Sequence, residues 1–198
     1  MSRTKNRMFR PPRIVLATLL ACCMPWSIQA QDNALDAFLP YIGAWGPDPE
    51  GEMVKNNPDR ADDFIFYLTW TDEDHQMLRF YEGVIDGDLS KRVLDTLVAA
   101  NPRTGMIEFF GLQRQDNYLY KGTFEIGDNR LTRYYEVWYP EGTEFSNDEY
   151  RNRGSVRYRD QCQLLSSVTL ACRTEKQLDG QWLPWGDGEP YVMVRVER

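Results

Sequence analysis

Alternation of apolar and polar residues is the feature that most restricts the fold of this chain. From Asp63 onward, apolar residues recur at every second position in one short segment after another, as in β-strands with one buried face. Turn-forming pairs such as Asp86-Gly87 and Asp179-Gly180 separate the segments, and no helical pattern lies between them. The predicted strands are residues 64–70, 78–84, 93–100, 106–113, 118–126, 131–139, 156–164, 168–176, 181–185 and 191–196.

A meander of such strands has two free edges, which closure into a barrel hides more completely than a sandwich does. The sequence therefore predicts an all-β fold, an antiparallel meander closed into an eight- to ten-stranded β-barrel with one short N-terminal helix. We expect that helix from Asp32 to Leu39, capped by Asp32 or Asn33. Residues 46–62 and 140–153 are polar and are predicted to be long loops. A barrel of this size encloses either packed side chains or one small ligand.

The first 30 residues have the pattern of a secretory signal peptide, which leaves residues 31–198 as a single barrel domain. Five basic residues precede a short apolar run, Ile14 to Ala21, and Ala30 is a plausible cleavage point. Cys22 offers an alternative, because a lipoprotein signal would make it the lipidated first residue. The protein is therefore expected to be exported, either periplasmic or secreted, or anchored through Cys22. No later segment is apolar for long enough to span a membrane.

Cys162 and Cys172 are predicted to form a disulfide. Apolar residues alternate on both sides of Ser166-Ser167, and a hairpin that turns there places the two cysteines opposite each other. Pairing in an oxidising compartment is the more common use of two such cysteines than catalysis.

Charge excludes two classes of partner. Lys and Arg number 23 against 30 Asp and Glu, and because the first 30 residues hold five of the basic ones and no acid, the remainder is more acidic still. A nucleic-acid binder needs a basic face, and so does a protein that adheres to anionic lipid. The expected partner is a small hydrophobic or amphipathic molecule.

The segment Gly43-Ala44-Trp45, between the short helix and the first long strands, resembles the Gly-x-Trp motif of lipocalins and other calycins. The resemblance implies a bacterial secreted lipocalin-like protein in which Gly43 and Trp45 are structural and the tryptophan crosses the closed base of the barrel. It also implies an arginine that covers the tryptophan, for which Arg195 is the candidate. Calycins bind small, mostly apolar molecules, although some are enzymes. Haem-binding relatives use a late histidine, which this chain lacks, so no cofactor is expected.

No motif identifies a reaction, and the catalytic residues stay unknown. His75 is the only histidine and lies in a polar turn, where an exposed side chain is a simpler interpretation than a general base. A single histidine and two mature cysteines also leave no expected metal site. Nucleophile elbows, phosphate loops and dinucleotide fingerprints are absent from the sequence.

Aromatic side chains on the inward register are the candidate ligand contacts, although a filled core explains them equally well. Arg133 shares this register and needs a partner if buried, either Glu82, Glu108 or a ligand carboxylate. A one-residue slip would instead turn Tyr134, Glu136 and Trp138 inward. The predicted ligand-binding residues are Phe66, Phe80, Phe110, Tyr120, Phe124, Arg133, Tyr135 and Tyr158.

Three functions follow from this pattern. The first is an exported protein that holds an apolar or amphipathic molecule in a barrel cavity. The second is a barrel enzyme acting on a lipid- or isoprenoid-like substrate, which a buried carboxylate without a cationic partner would favour. The third is a structural envelope protein with a filled barrel.

Overall fold

The computed structural model describes residues 33–114, 118–139, 154–186 and 188–197. The expected signal peptide, Cys22 and the 140–153 loop lie outside these residues. Within them the chain forms eleven strands, all paired antiparallel. They are β1 (Gly43–Pro47), β2 (Phe64–Trp70), β3 (Met77–Val84), β4 (Arg92–Ala100), β5 (Ile107–Gln113), β6 (Leu119–Gly127), β7 (Arg130–Trp138), β8 (Ser155–Ser166), β9 (Thr169–Leu178), β10 (Gln181–Pro184) and β11 (Tyr191–Val196).

The sheet closes on itself, which confirms the predicted all-β barrel. Neighbouring strands pair in sequence from β1 to β9, and β11 completes the ring between β9 and β1, so that ten strands form the barrel. The short β10 pairs with residues 175–178 of β9, beyond the stretch of β9 that pairs with β11.

Short helices occupy the connections. A 3-10 helix, Ala34–Tyr41, precedes β1, and the Asn33 side chain caps it by accepting a hydrogen bond from the Leu35 N–H. The polar segment 46–62 is not wholly loop as expected, because α1 (Glu52–Asn56) and a 3-10 turn (Pro58–Arg60) form within it. Two more 3-10 turns, Ile85–Gly87 and Leu89–Lys91, connect β3 and β4.

The 3-10 helix closes one end of the barrel, which we call the base. Leu35, Phe38 and Tyr41 are buried there, and the Phe38 ring meets Phe124 of β6 edge-on at 5.1 Å. Trp45 is fully buried, and its indole N–H donates a hydrogen bond of 2.9 Å to the Tyr41 carbonyl. Apolar burial of this extent is the main stabilising contribution in a domain of this size.

Arg195 covers Trp45 at the base. Its guanidinium carbon lies 4.5 Å from the centre of the Trp45 ring, at the place that the resemblance implied. The same guanidinium donates hydrogen bonds to the carbonyls of Pro40 (2.7 Å) and Ile42 (2.5 Å). Gly43 has a φ of +118°, which a residue with a side chain rarely adopts, and a Cβ there would lie 3.0 Å from the Arg195 guanidinium.

Cys162 of β8 and Cys172 of β9 are direct partners across the hairpin, as predicted, with Cα atoms 4.0 Å apart and sulfur atoms at bonding distance. Both side chains are buried inside the barrel beside Leu170. The link therefore joins two strands on the base side of the interior.

The predicted register is wrong in β5. Phe110 was expected to face inward, but it is 53% exposed, and its neighbour Phe109 is buried in the core. Glu108, also expected inside, faces outward and accepts a hydrogen bond from the Asn101 side chain. In this register Gly111 faces inward, and the Tyr120 ring occupies the space that a side chain at position 111 would need.

Candidate functional site

An ion cluster crosses the middle of the barrel interior. Arg133 of β7 is 5% exposed and lies between two carboxylates, Glu82 of β3 and Asp160 of β8. The guanidinium donates to both oxygens of Glu82 (2.5 and 2.8 Å) and makes two bonds to Oδ2 of Asp160 (2.9 and 2.5 Å). The Tyr135 hydroxyl donates to the other Asp160 oxygen at 3.4 Å. We refer to Glu82, Arg133, Tyr135 and Asp160 as the ion cluster.

The cluster uses nearly all the hydrogen-bonding capacity of Arg133. A guanidinium has five N–H donors, and four are engaged by Glu82 and Asp160. Bidentate, charge-assisted bonds of this kind fix both the position and the orientation of the arginine. Of the alternatives for Arg133, the Glu82 pairing is therefore present, Glu108 is excluded by the β5 register, and a ligand carboxylate that binds through both oxygens would have to displace a protein carboxylate.

Burial and nearby charges shift the pKa values of Arg133 and of three tyrosines in and around the cluster. Burial raises the pKa of Tyr135 well above its usual value, and the nearby Asp160 adds to the shift. Burial on its own would lower the pKa of Arg133, but Glu82 and Asp160 outweigh it and raise that pKa. Burial also raises the pKa of Tyr120 and of Tyr191. These tyrosines remain neutral and Arg133 remains charged at physiological pH, so none of the four is poised to act as a base.

A cavity of about 260 Å³ lies on the side of the ion cluster opposite the base. We call it the mouth cavity. Leu94, Val137 and Thr174 contribute to its walls, and Arg133 contributes to its floor. Most of the remaining lining is aromatic and consists of Tyr118, Tyr120, Tyr135, Tyr139, Tyr158 and Trp185.

The aromatic rings of the mouth cavity form an ordered series. The Arg133 guanidinium lies 4.6 Å from the centre of the Tyr135 ring, and Tyr135 stacks on Tyr158 at 5.3 Å with an interplanar angle of 20°. Trp185 then meets Tyr158 edge-on at 5.7 Å. The Tyr139 and Tyr158 hydroxyls are hydrogen-bonded at 3.0 Å, which fixes the two rings relative to each other. Planar groups thus follow one another from the centre of the barrel to its mouth.

The space on the base side of the ion cluster is much smaller than the mouth cavity. A cavity of about 40 Å³ adjoins the ion cluster there, enough for one water molecule or a few, and we call it the base cavity. Phe66, Phe80 and Phe124 line it, with ring centres of Phe66 and Phe80 5.1 Å apart. The Tyr41 hydroxyl is buried here with no hydrogen-bond partner among the described residues.

A third hollow of about 570 Å³ lies on the outer face of β5 to β10, which we call the outer groove. Its sides include the outward-facing residues Lys121, Glu136 and Trp182, and its lining also reaches Phe109, Tyr135 and Tyr158. The ring of Trp182 already carries the Arg159 guanidinium at 4.7 Å, and the neighbouring Trp138 ring carries the Lys121 ammonium at 4.9 Å. The mouth cavity, which lies inside the barrel and has a mostly aromatic lining, is the stronger candidate of the two.

The predicted ligand-binding residues divide between these regions. Four of them, Tyr120, Arg133, Tyr135 and Tyr158, come together at the mouth cavity, whereas Phe66, Phe80 and Phe124 lie at the base cavity and Phe110 lies outside the barrel. The predicted set did not include Asp160, which belongs to the ion cluster, or Trp185, which lines the mouth cavity. The alternation Tyr158, Asp160, Cys162 in β8 places Asp160 inside and was a usable signal, whereas Trp185 follows β10 in an irregular bend that no pattern predicts.

The described residues give little support to a catalytic histidine or to a metal site. His75 is exposed and stacks on Trp70 at 4.3 Å near the base, away from the mouth cavity. In the part of the chain that the structure describes, no three His, Cys, Asp or Glu side chains come together to hold a metal ion. Within the same residues, no helix has both the length and the apolar character that crossing a bilayer requires.

The chain matches no protein-family model, no curated protein and no solved structure. What it has in common with calycins is the architecture, a closed antiparallel barrel.

Proposed function

We propose that this protein is an exported, calycin-like binding protein that holds one small apolar or amphipathic molecule in its mouth cavity. The observation that carries the proposal is the cavity itself, about 260 Å³ with six aromatic side chains and a few polar groups around it. Ligand sites have this mixture of apolar walls and sparse polar anchors, and their volumes typically begin near about 300 Å³. The occupant is therefore small, or enters with one end only.

The difference in packing between the base and the mouth of the barrel supports a binding function over a purely structural role. The base is packed almost without space, so the same chain is able to fill its interior where nothing needs to enter. At the mouth it instead surrounds a space with tyrosines, whose hydroxyl groups need partners when they are buried. A barrel selected only for stability gains nothing from such an arrangement, because a cavity costs contacts on every side.

The ion cluster supports binding over catalysis. An enzyme of the expected kind needs a carboxylate next to the cavity that is free to take up a proton. Both carboxylates of the cluster are bonded to Arg133, and burial raises the pKa of the Tyr135 hydroxyl. The cluster is better suited to forming a fixed floor beneath a ligand.

Export forms part of the proposal. The buried Cys162–Cys172 pair favours an oxidising compartment, and the first 30 residues have the composition of a signal peptide. Peptide mapping with and without reductant tests the pairing, since only a disulfide shifts the two cysteine-containing peptides together. Free thiols in the protein recovered from the cell envelope would contradict it.

Native mass spectrometry of the protein purified gently from its own cells tests the binding function. We expect an additional stoichiometric mass that is lost on denaturation, and a chain that begins at Gln31. A chain that begins at a lipidated Cys22 would change the anchoring but leave the binding function intact. A bare protein whose thermal stability no small molecule raises would contradict the binding function, because a ligand specific for the folded state must stabilise it.

A further inference from the structure

We infer that the ligand of the mouth cavity is a compact molecule with a flat aromatic or conjugated ring, and not a long acyl chain. This inference rests on the proposed function and specifies its ligand. Three features of the described residues lead to it: the depth of the interior, the orientation of the rings, and the rigidity of the floor.

The ion cluster limits how deep a ligand reaches. An acyl chain is accommodated best by a long apolar channel along the barrel axis. Here Arg133, Glu82 and Asp160 are bonded across the interior, and only about 40 Å³ is present on the base side. A chain that passed this point would have to separate a buried ion pair, which leaves uncompensated charges in a medium of low polarity.

The walls favour a planar ligand. Tyr135 and Tyr158 are stacked with planes 20° apart, and the Arg133 guanidinium continues the series at 4.6 Å from Tyr135. Trp185 stands edge-on to Tyr158. Offset stacking and edge-to-face contacts are the arrangements that aromatic rings prefer, and a flat ligand makes such contacts with the ring surfaces that border the cavity. A flexible chain makes neither and loses rotational freedom on binding.

The floor is held in place before any ligand arrives. Arg133 is fixed by four hydrogen bonds, and Tyr135 is fixed by Asp160 on one side and by its stack on Tyr158 on the other. A preformed site favours a rigid ligand of matching shape, because neither partner then gives up much freedom on binding. A ring with one polar substituent fits both the aromatic walls and the polar atoms of Thr174 and the tyrosine hydroxyls.

The test compares two neutral probes with the same numbers of carbon and oxygen atoms, 2-naphthol and 1-decanol. Their affinities for the full mature chain are measured by isothermal titration calorimetry at concentrations below the aggregation limit of the alcohol. We expect 2-naphthol to bind at least about tenfold more tightly than 1-decanol, the upper part of the range for aromatic pairing. Equal affinities, or tighter binding of 1-decanol, would overturn the ring inference and leave the proposed function standing. If neither probe binds and the native mass spectrum also shows a bare protein, the proposed function fails with the ring inference.

Two tryptophans on opposite faces of the sheet give a matched pair of variants. Trp185 lines the mouth cavity and is 52% exposed, so its replacement disturbs the core little, while Trp182 lies in the outer groove. Trp185→Leu should weaken 2-naphthol binding about two- to twelvefold and change 1-decanol binding by less than twofold, and Trp185→Phe should restore most of the loss. Trp182→Leu should change neither. An equal loss with Trp182→Leu would place the ring in the outer groove and overturn the inference.

Discussion

The two ends of this barrel use aromatic residues in opposite ways. At the base, Trp45 and Phe38 are fully enclosed and every face of their rings meets protein. At the mouth, Tyr158 and Trp185 are fixed by contacts on one side and border a cavity on the other. The same residue types therefore stabilise the fold at one end and provide a surface for a ligand at the other, so aromatic content alone does not locate the site.

The largest difference between the two ends should appear on truncation of their tryptophans. Trp45→Ala removes a fully buried ring and the surface on which Arg195 lies, so we expect a loss of about 5 kcal/mol, at the upper end of the range for such changes. Trp185→Ala should cost only about 1 kcal/mol because the ring is half exposed. Urea denaturation of both variants measures the difference. Similar losses would show that the mouth is part of the stabilising core.

Removal of Arg133 tests the boundary between the two ends. Arg133→Met leaves Glu82 and Asp160 buried without their partner, and we expect a loss of about 3–4 kcal/mol at neutral pH. Urea denaturation at neutral pH measures the loss.

A matched control for this variant is Arg79→Met. Arg79 pairs with Asp95 at 3.0 Å on the outside of the barrel, where its side chain is 40% exposed. Exposed pairs are worth about 1 kcal/mol or less, so the loss should be small. A deficit for Arg133→Met that equals the loss in this control would mean that the ion cluster contributes no more to stability than a surface pair.

The disulfide belongs to the base side and should contribute less than either core change. Replacement of Cys162 and Cys172 by alanine together should cost about 2–3 kcal/mol, the value expected for a loop closed over a sequence separation of 10. Thermal unfolding with and without reductant gives the same comparison in the natural protein. An unchanged melting temperature under reductant, with the thiols shown to be free, would contradict this contribution.

The smallest expected effect on the free energy of unfolding is that of replacing Tyr41. Burial raises the pKa of its hydroxyl, which has no hydrogen-bond partner among the described residues. Tyr41→Phe should therefore leave the free energy of unfolding unchanged or raise it by up to about 1 kcal/mol. The matching change at the mouth, Tyr139→Phe, removes the bond to Tyr158 and should lower stability by about 1 kcal/mol. A clear loss with Tyr41→Phe would show that its hydroxyl is bonded in solution.

The fold was largely predictable because it rests on a repeated pattern. Strands β3, β6, β8 and β9 alternate cleanly, and Asp, Asn or Gly residues occupy several of the turns as expected. β5 was not predictable in register because Phe109 and Phe110 are adjacent, so alternation fits either face equally well. Gly111 and Tyr120 are partners across the β5–β6 pair, and the Tyr120 ring lies where a side chain at position 111 would be, a contact that exists only in the assembled sheet.

The candidate site was predictable only in part for a related reason. Arg133 could be recognised as an inward residue in need of a partner, and Glu82 was one of the partners considered. Asp160 escaped notice because it lies between Arg159 and Gln161 in a polar stretch, although its register places it opposite Arg133. The interior is divided into a packed base and a mouth that contains a cavity. This division depends on how side chains from many strands fill the interior, and a local sequence pattern does not encode it.

The most direct test of the division between base and mouth is an amide and indole NMR spectrum of the protein, recorded during titration with 2-naphthol. Ring currents from a bound naphthalene shift only nearby nuclei. The account predicts that the Trp185 indole and the Thr174 amide move together and saturate, while the Trp45 indole and the Leu170 amide stay in place. Saturating shifts at Trp45 and Leu170, or at Trp182 alone, would contradict the assignment of the mouth cavity as the binding site.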